Sequence, residues 1–351
     1  MFIFIGTQEN SIFSARLNVS SHSPESVTAA AEVPRPTFVM VDPYRDVLYA
    51  VSEIGNAGDV FGSILSFSID NKNAKLNLLS RQTSGGGGPT HLTLDKTGKV
   101  LFAANFGGGE VSAFPVYSNG ALGPISSIQI NKGSGPHRRQ RRAHAHGVIV
   151  DPSQRYLLVA DMGADRIFIH RYNAESGTID AAERVFVAPP GSGPRLISFG
   201  IDGQFAYMLT ELSAEIYVLK WHGDEGRLEL RQTLPLETTS LEEPRSAAAL
   251  AISVDGRLLY ASNRTVNTIE VYTIAPGSGV LTHRQSISAE GKKPWFAEIT
   301  PDEKFLAVAN QGSDSVQIFL RDVASGTLSP SGKVINIPTP TSLSFFSERT
   351  Y

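Results

Sequence analysis

His146, Arg195, Glu211 and Arg264 bring together an imidazole, a carboxylate and two guanidinium groups, the side chains from which proton transfer and anion binding are commonly assembled. Each occupies a position in a repeat that runs along the chain, yet its residue type appears there in only one or two copies. A structural requirement of the repeat would recur, so charge confined to a few copies points to a site. His144 and His146 are two apart on a stretch that reads as a strand and so face the same way, which raises metal binding. No third ligand is evident beside them and the chain has no cysteine; the reading is therefore a site without a metal, other carboxylates of the same region being the conceivable further ligands. The run Arg138-Arg139-Gln140-Arg141-Arg142 reads most simply as a solvated loop. The alternative is a loop that overhangs the site and draws in an anionic substrate. Gly85 to Gly88 lack the Lys-Ser/Thr and helix of a phosphate loop and read as a connector.

The elements that must position these groups follow from a period of about fifty residues. One unit opens with Pro89-Thr-His-Leu-Thr-Leu-Asp95, continues with Gly98-Lys-Val-Leu-Phe-Ala-Ala-Asn105 and Glu110-Val-Ser-Ala-Phe-Pro-Val116, and closes with an apolar stretch at 125 to 130. Equivalent openings start at Pro36, Ala145, Pro194, Ser246 and Pro294, which makes six units. Each reads as four antiparallel strands, the repeat of a propeller blade. The C-terminus supplies a seventh opening, Pro340 to Phe346, and the N-terminus the rest of that blade: Met1 to Gly6, Ser11 to Leu17 and Val27 to Val33. The expectation is an all-β, seven-bladed propeller spanning 1–351 as one domain, its ring closed by both termini in a single blade, which leaves no open sheet edge between first and last units.

In such a blade the start of the first strand and the end of the second lie at one mouth of the central channel. Residues at first-strand starts are His91, His144, His146, Arg195, Arg245 and Trp295; residues at second-strand ends are Glu53, Asn105, Asp161, Glu211, Asn263, Arg264, Asn310 and Gln311. Asn105, Asn263 and Asn310 recur and read as strand caps. Catalysis is expected from His146, Glu211, Arg195 and Arg264, with His144, Arg245, Trp295, His91, Asn263 and Gln311 as candidate substrate contacts. Composition is consistent with this: 41% hydrophobic, 19% charged, 32 Gly and a net charge of −3 describe a turn-rich β protein without the basic field of a nucleic-acid or membrane binder. The apolar N-terminus lacks a basic flank and reads as a strand, so the chain is expected to be soluble and cytoplasmic, with small molecules as partners and its oligomeric state open.

The phrases Ala143-His-Ala-His-Gly-Val-Ile-Val-Asp-Pro152, Gly193-Pro-Arg-Leu196, Tyr207-Met-Leu-Thr-Glu-Leu212 and Tyr260-Ala-Ser-Asn-Arg264 resemble the seven-bladed propeller lactonase family, which includes bacterial 6-phosphogluconolactonases and the fungal 3-carboxy-cis,cis-muconate lactonizing enzyme. The resemblance runs over essentially the whole chain and places the family's proposed active-site His, Arg, Glu and Arg on His146, Arg195, Glu211 and Arg264. It departs where many bacterial members have Ser-Ala-Ala-Glu-Ile and this chain has Ser246-Ala-Ala-Ala-Leu250, and where they have Pro-Arg-His and it has Pro294-Trp-Phe296. A carboxylate and a cation are lost and an aromatic is gained, which leaves room for a less polar, ring-bearing substrate. The resemblance implies a lactonase or lactone-forming cyclase acting on a small carboxylated substrate without a cofactor. Glu211 or His146 would be the general base, His146 the general acid, and the two arginines the anion holders. The alternatives are a specialised cyclase of secondary metabolism and a noncatalytic propeller that binds a protein or peptide across the same mouth.

Overall fold

The computed structural model describes residues 1–18, 20–236 and 244–347, and among these a single helical turn, Gln311–Ser313, interrupts an otherwise all-β structure. Seven antiparallel sheets succeed one another as the blades of a propeller. Blade 1 takes its innermost strand from the C-terminus, Pro340–Phe346, and adds Phe2–Thr7, Ser11–Leu17 and Pro24–Glu32 from the N-terminus. The innermost strands of blades 2 to 7 are Val39–Val41, Pro89–Leu94, Ala145–Val150, Pro194–Phe199, Ala247–Ile252 and Pro294–Ile299. The second strands are Val47–Ser52, Val100–Asn105, Tyr156–Asp161, Phe205–Thr210, Leu258–Asn263 and Phe305–Asn310.

All seven second strands are buried at every position, because each blade is sandwiched between two others. Near-continuous apolar runs such as Val100 to Ala104 are what burial on both faces selects. The outermost strands, such as Leu281–Ser288, alternate toward solvent. Seven apolar clusters fill the seven interfaces between neighbouring blades, the last packing Phe305, Ala307 and Ile318 of blade 7 against Ile3, Ile5 and Phe345 of blade 1.

Turn chemistry at the far mouth is local. The Asp95 carboxylate accepts the amides of Lys99 and Val100, and Asp151 those of Arg155 and Tyr156, so each ties the end of a first strand to the start of the second. Three details depart from the sequence reading. The fourth strand of blade 1 begins at Pro24 and not Val27. Blade 2 pairs regularly only over Val39–Val41, and the Pro36 carbonyl ahead of it accepts the Thr7 amide of blade 1. In blade 4 the long third strand pairs with both Thr178–Ile179 and Arg184–Val187.

Candidate active site

Two rings of side chains define one mouth of the channel. The first arises from a bulge repeated in the innermost strands. Pairing with the second strand skips one residue in blades 1, 3, 4, 5 and 7, and two in blade 6. A bulge leaves a residue out of the ladder and re-aims its side chain. The residues freed in this way are Thr341, Thr90, His146, Arg195 and Trp295, with Ala248 in blade 6 and Thr37 as the counterpart in blade 2. All but Ala248 line the central cavity of about 220 Å³.

The second ring is the residue directly after each second strand: Gln8, Glu53, Phe106, Met162, Glu211, Arg264 and Gln311. The residue that ends each strand, one position earlier, is fully buried in all seven blades: Thr7, Ser52, Asn105, Asp161, Thr210, Asn263 and Asn310. A one-residue change of phase therefore separates scaffold from site. Asn263, a candidate substrate contact in the sequence, lies on the scaffold side of that line, its amide oxygen accepting the Thr265 amide at 3.0 Å.

Glu211 is the centre of the charged cluster. Its Oε2 accepts Arg195 Nε at 3.0 Å and stands 3.5 Å from His146 Nε2, while its Oε1 accepts Arg139 at 2.6 Å and lies 3.2 Å from Arg264. Burial opposes its ionisation, but Arg264, the His146 hydrogen bond and Arg195 outweigh burial and hold the carboxyl well below its usual range. Arg195 donates a further bond to the Ala248 carbonyl at 2.5 Å; burial lowers it to about 10, so it remains cationic at neutral pH. Arg264 lies 4.4 Å over the Trp295 ring, a cation–π contact, and its buried Nε has no partner. His146 is pushed down to about 4 by burial and then by Arg195, against the pull of Glu211. It is therefore neutral at pH 7, and its buried Nδ1 has no hydrogen-bond partner. His91 is pushed down to about 3 by burial, His146 and Arg195, accepts the Val148 amide and lines the cavity beside Phe38.

The structure sets three other candidates apart. His144 does not face the channel with His146: the bulge at Ala145/Gly147 turns the two away from each other. The His144 ring stacks on Phe106 and its Nδ1 contacts the Phe106 carbonyl at 2.6 Å, whereas His146 meets the edge of the same ring. Arg245 is exposed ahead of its strand and lines neither this cavity nor its neighbour. Gln311 is in the second ring but acts through Gln8, whose side chain it holds at 3.1 Å against the cavity. Among the described residues no three His, Asp or Glu side chains gather as metal ligands.

The basic run exposes Arg138, Arg139, Arg141 and Arg142 to solvent but is anchored at its centre. Gln140 is fully buried and its amide holds the Met162 carbonyl and Asp165, and the Arg142 guanidinium binds the Ala57 carbonyl. Anchored at these points, the loop delivers Arg139 to Glu211. Arg139 also lines an outer groove of about 590 Å³ that shares Glu211 and Trp295 with the inner cavity and adds Arg264, Lys292, Lys293, Ser246 and Asn267. Nothing in the residue types signals that a particular arginine of the run, or Lys292 and Lys293 of another blade, faces this groove.

A family profile described as "Lactonase, 7-bladed beta-propeller" matches residues 2–345. A 6-phosphogluconolactonase of Bacillus subtilis is 28% identical over 341 residues, 96% of this chain and 95% of that protein. One of Formosa agariphila is 30% identical over 338 residues, 94% of each. Among solved structures, the periplasmic gluconolactonase PpgL of Pseudomonas aeruginosa superposes with a TM-score of 0.92 at 32% identity, covering 97% of this chain and 98% of that one.

Proposed function

The chain belongs to the seven-bladed β-propeller lactonase family and is an enzyme of the lactonase class, and on that premise we propose that it hydrolyses small anionic sugar lactones by acid–base chemistry in the funnel around Glu211. The observation that carries the reading is His146: a buried, neutral imidazole whose Nε2 faces Glu211 while Nδ1 has no partner. With the Nε2 proton directed at the carboxylate, Nδ1 is the nitrogen left to act as base; it is closed to solvent as the ring stands, so a turn of the imidazole toward the cavity brings it to water. The water oxygen then adds to the lactone carbonyl, and Arg195, cationic and buried, stabilises the oxyanion. Glu211 is a poor base because three arginines and the imidazole already occupy its oxygens; its role is to fix the tautomer of His146 and the geometry of Arg195. The same contacts make Glu211 a poor metal ligand, in keeping with a metal-independent reaction.

An anionic substituent on the substrate is favoured by the outer groove, where Arg139, Arg264, Lys292 and Lys293 converge beside the reacting centre. The two relatives named 6-phosphogluconolactonase fit a phosphate there. Trp295 replaces a cation in this wall yet serves as the platform on which Arg264 lies, so the aromatic gained does not remove the positive field. The test is pH-indicator hydrolysis of glucono-δ-lactone and its 6-phosphate, with untreated protein, EDTA-treated protein and His146→Gln. Expected are hydrolysis that survives EDTA, a preference of roughly tenfold or more in kcat/KM for the phosphate, worth about 1.4 kcal/mol, and a fall of about 10²-fold or more in His146→Gln. Full activity in the variant overturns the role of His146, and equal rates on the two lactones overturn the phosphate reading.

A further inference from the structure

Glu211 has a counterpart. Glu53 directly follows the second strand of blade 2 as Glu211 follows that of blade 5, so the two carboxylates hold the same repeat position three blades apart, the widest separation a ring of seven permits. Both line the inner cavity. Their surroundings are opposite. Glu211 is clasped by three arginines and an imidazole, whereas Glu53 is held by neutral donors, the Thr37 hydroxyl on one oxygen and the Asn56 amide at 2.8 Å on the other. The ionisable groups sharing the cavity with it are Arg35, His91, Arg139, His146, Arg195 and Glu211. Arg35 spends its Nε on the Glu53 backbone carbonyl, and Arg35 and Arg195 act on the carboxylate only through space.

A carboxyl group set in a funnel without a paired cation is easier to protonate than one clasped by cations, and burial raises Glu53 above its usual range against the pull of the Thr37 and Asn56 hydrogen bonds. Ring opening needs such a group. His91 and His146 both start the step neutral and the arginines keep their protons, so, apart from the proton that His146 takes from water, Glu53 is the group lining the cavity that can give one to the leaving alkoxide.

We propose that Glu53 is the second catalytic carboxylate of the funnel and gives its proton to the ring oxygen of the lactone as the carbonyl C–O bond breaks. This rests on the lactonase reading above. In the step, the bond from water oxygen to the carbonyl carbon forms and the bond from that carbon to the ring oxygen breaks. One water proton passes to His146, and the Glu53 proton ends on the new hydroxyl. The proton on His146 then returns to Glu53 through solvent, and the product acid releases its own proton to bulk, which restores both groups.

A proton donor matters most for a poor leaving group, and that separates catalysis from a merely structural role. Glu53→Gln, which keeps the shape and a hydrogen-bonding amide, is compared with the unchanged protein on glucono-δ-lactone, whose leaving group is an alkoxide, and on dihydrocoumarin, whose leaving group is a phenoxide. The expected result is a loss in kcat of about 10²-fold on the first and less than about threefold on the second. An equal loss on both, or no loss on either, overturns the proposal and leaves His146 to shuttle both protons. A second variant leaves the carboxyl group in place: Asn56→Ala removes, from an exposed loop residue, one donor that favours the Glu53 anion. Because the acid must be protonated, kcat falls as pH rises through the Glu53 value; in Asn56→Ala that alkaline limb moves to higher pH, and a limb that stays in place counts against the proposal. Unchanged protein that opens neither lactone overturns the lactonase reading itself and Glu53 with it.

Discussion

At the scale of single residues the site is built around one carboxylate. Glu211 neutralises a cluster in which Arg195 and Arg264 are almost wholly buried and Arg139 is partly exposed. Removing one member of a buried ion cluster leaves the rest uncompensated, which typically costs about 3–5 kcal/mol. Glu211→Gln, nearly isosteric, is therefore expected to lose stability on that order in urea titration at pH 7 as well as most of its activity. The pH dependence has a definite sign. A carboxyl group lowered by folding contributes stability that is fully present above its unfolded value of about 4.3 and lost as pH falls toward the depressed native value. The unchanged protein should thus lose this contribution below about pH 4, while Glu211→Gln, already without it, should unfold over a smaller stability range in the same acid titration. If the two proteins keep a constant difference from pH 7 to pH 3, Glu211 is not the counter-charge of the cluster. His146, Arg195, Glu211 and Arg264 are legible in the sequence because each stands out against its repeat. Asn263 recurs and so reads as a strand cap, and it is counted among the substrate contacts only because it ends a strand at the mouth; phase within a repeat is not printed in residue type, since polar residues occupy both sides of the one-residue step between the buried strand end and the ring that follows it.

At the scale of elements, what the sequence does not show is the bulge. Alternation and apolar runs locate a strand, but an extra residue in its ladder changes neither, and it is this residue that presents His146, Arg195 and Trp295 to the cavity. For the same reason His144 and His146, two apart and expected on one face, diverge across Phe106. The bulge in blade 4 also depends on its glycine. A Cβ on Gly147 would stand 2.4 Å from the Arg195 carbonyl and 3.2 Å from Leu196 Cα in the next blade, backbone that cannot swing aside as a side-chain end can. Gly147→Ala is therefore expected to push blade 5 outward, costing about 1–3 kcal/mol as overpacking does, and to displace Arg195 from the oxyanion. A shift near 1 Å at a catalytic group can lower kcat by about 10²-fold. Thermal melting and kcat, measured together, check this; a variant as stable and as active as the unchanged protein would mean that the inter-blade contact gives way without cost.

At the scale of the whole molecule the fold is a ring, and a ring has no spare element. Six blades are continuous in sequence, but blade 1 exists only where Pro340–Phe346 pairs with Phe2–Thr7. This closure is legible in the residues alone, since a seventh opening without its remainder at one end and a remainder without its opening at the other fit only together. It does two jobs. It buries Ile3, Ile5, Leu343 and Phe345 against blade 7 and Phe4 and Phe346 against blade 2, each large apolar side chain contributing roughly 1.5–3 kcal/mol. It also supplies to the inner ring Thr341, whose hydroxyl donates at 2.9 Å to the carbonyl of Thr37, the residue whose own hydroxyl holds Glu53. A chain ending at Thr339 would keep six complete blades and every charged residue of the Glu211 cluster. If blades were independent modules, such a chain would melt close to the unchanged protein and retain part of its activity. Because each blade is buried on both faces by its neighbours, the opposite is expected: loss of the closing strand uncovers the apolar faces of blades 2 and 7 together, and the truncated chain should lose its cooperative melting transition and its lactonase activity in one step. Circular dichroism with temperature, gel filtration and lactone hydrolysis on the same sample decide between the two.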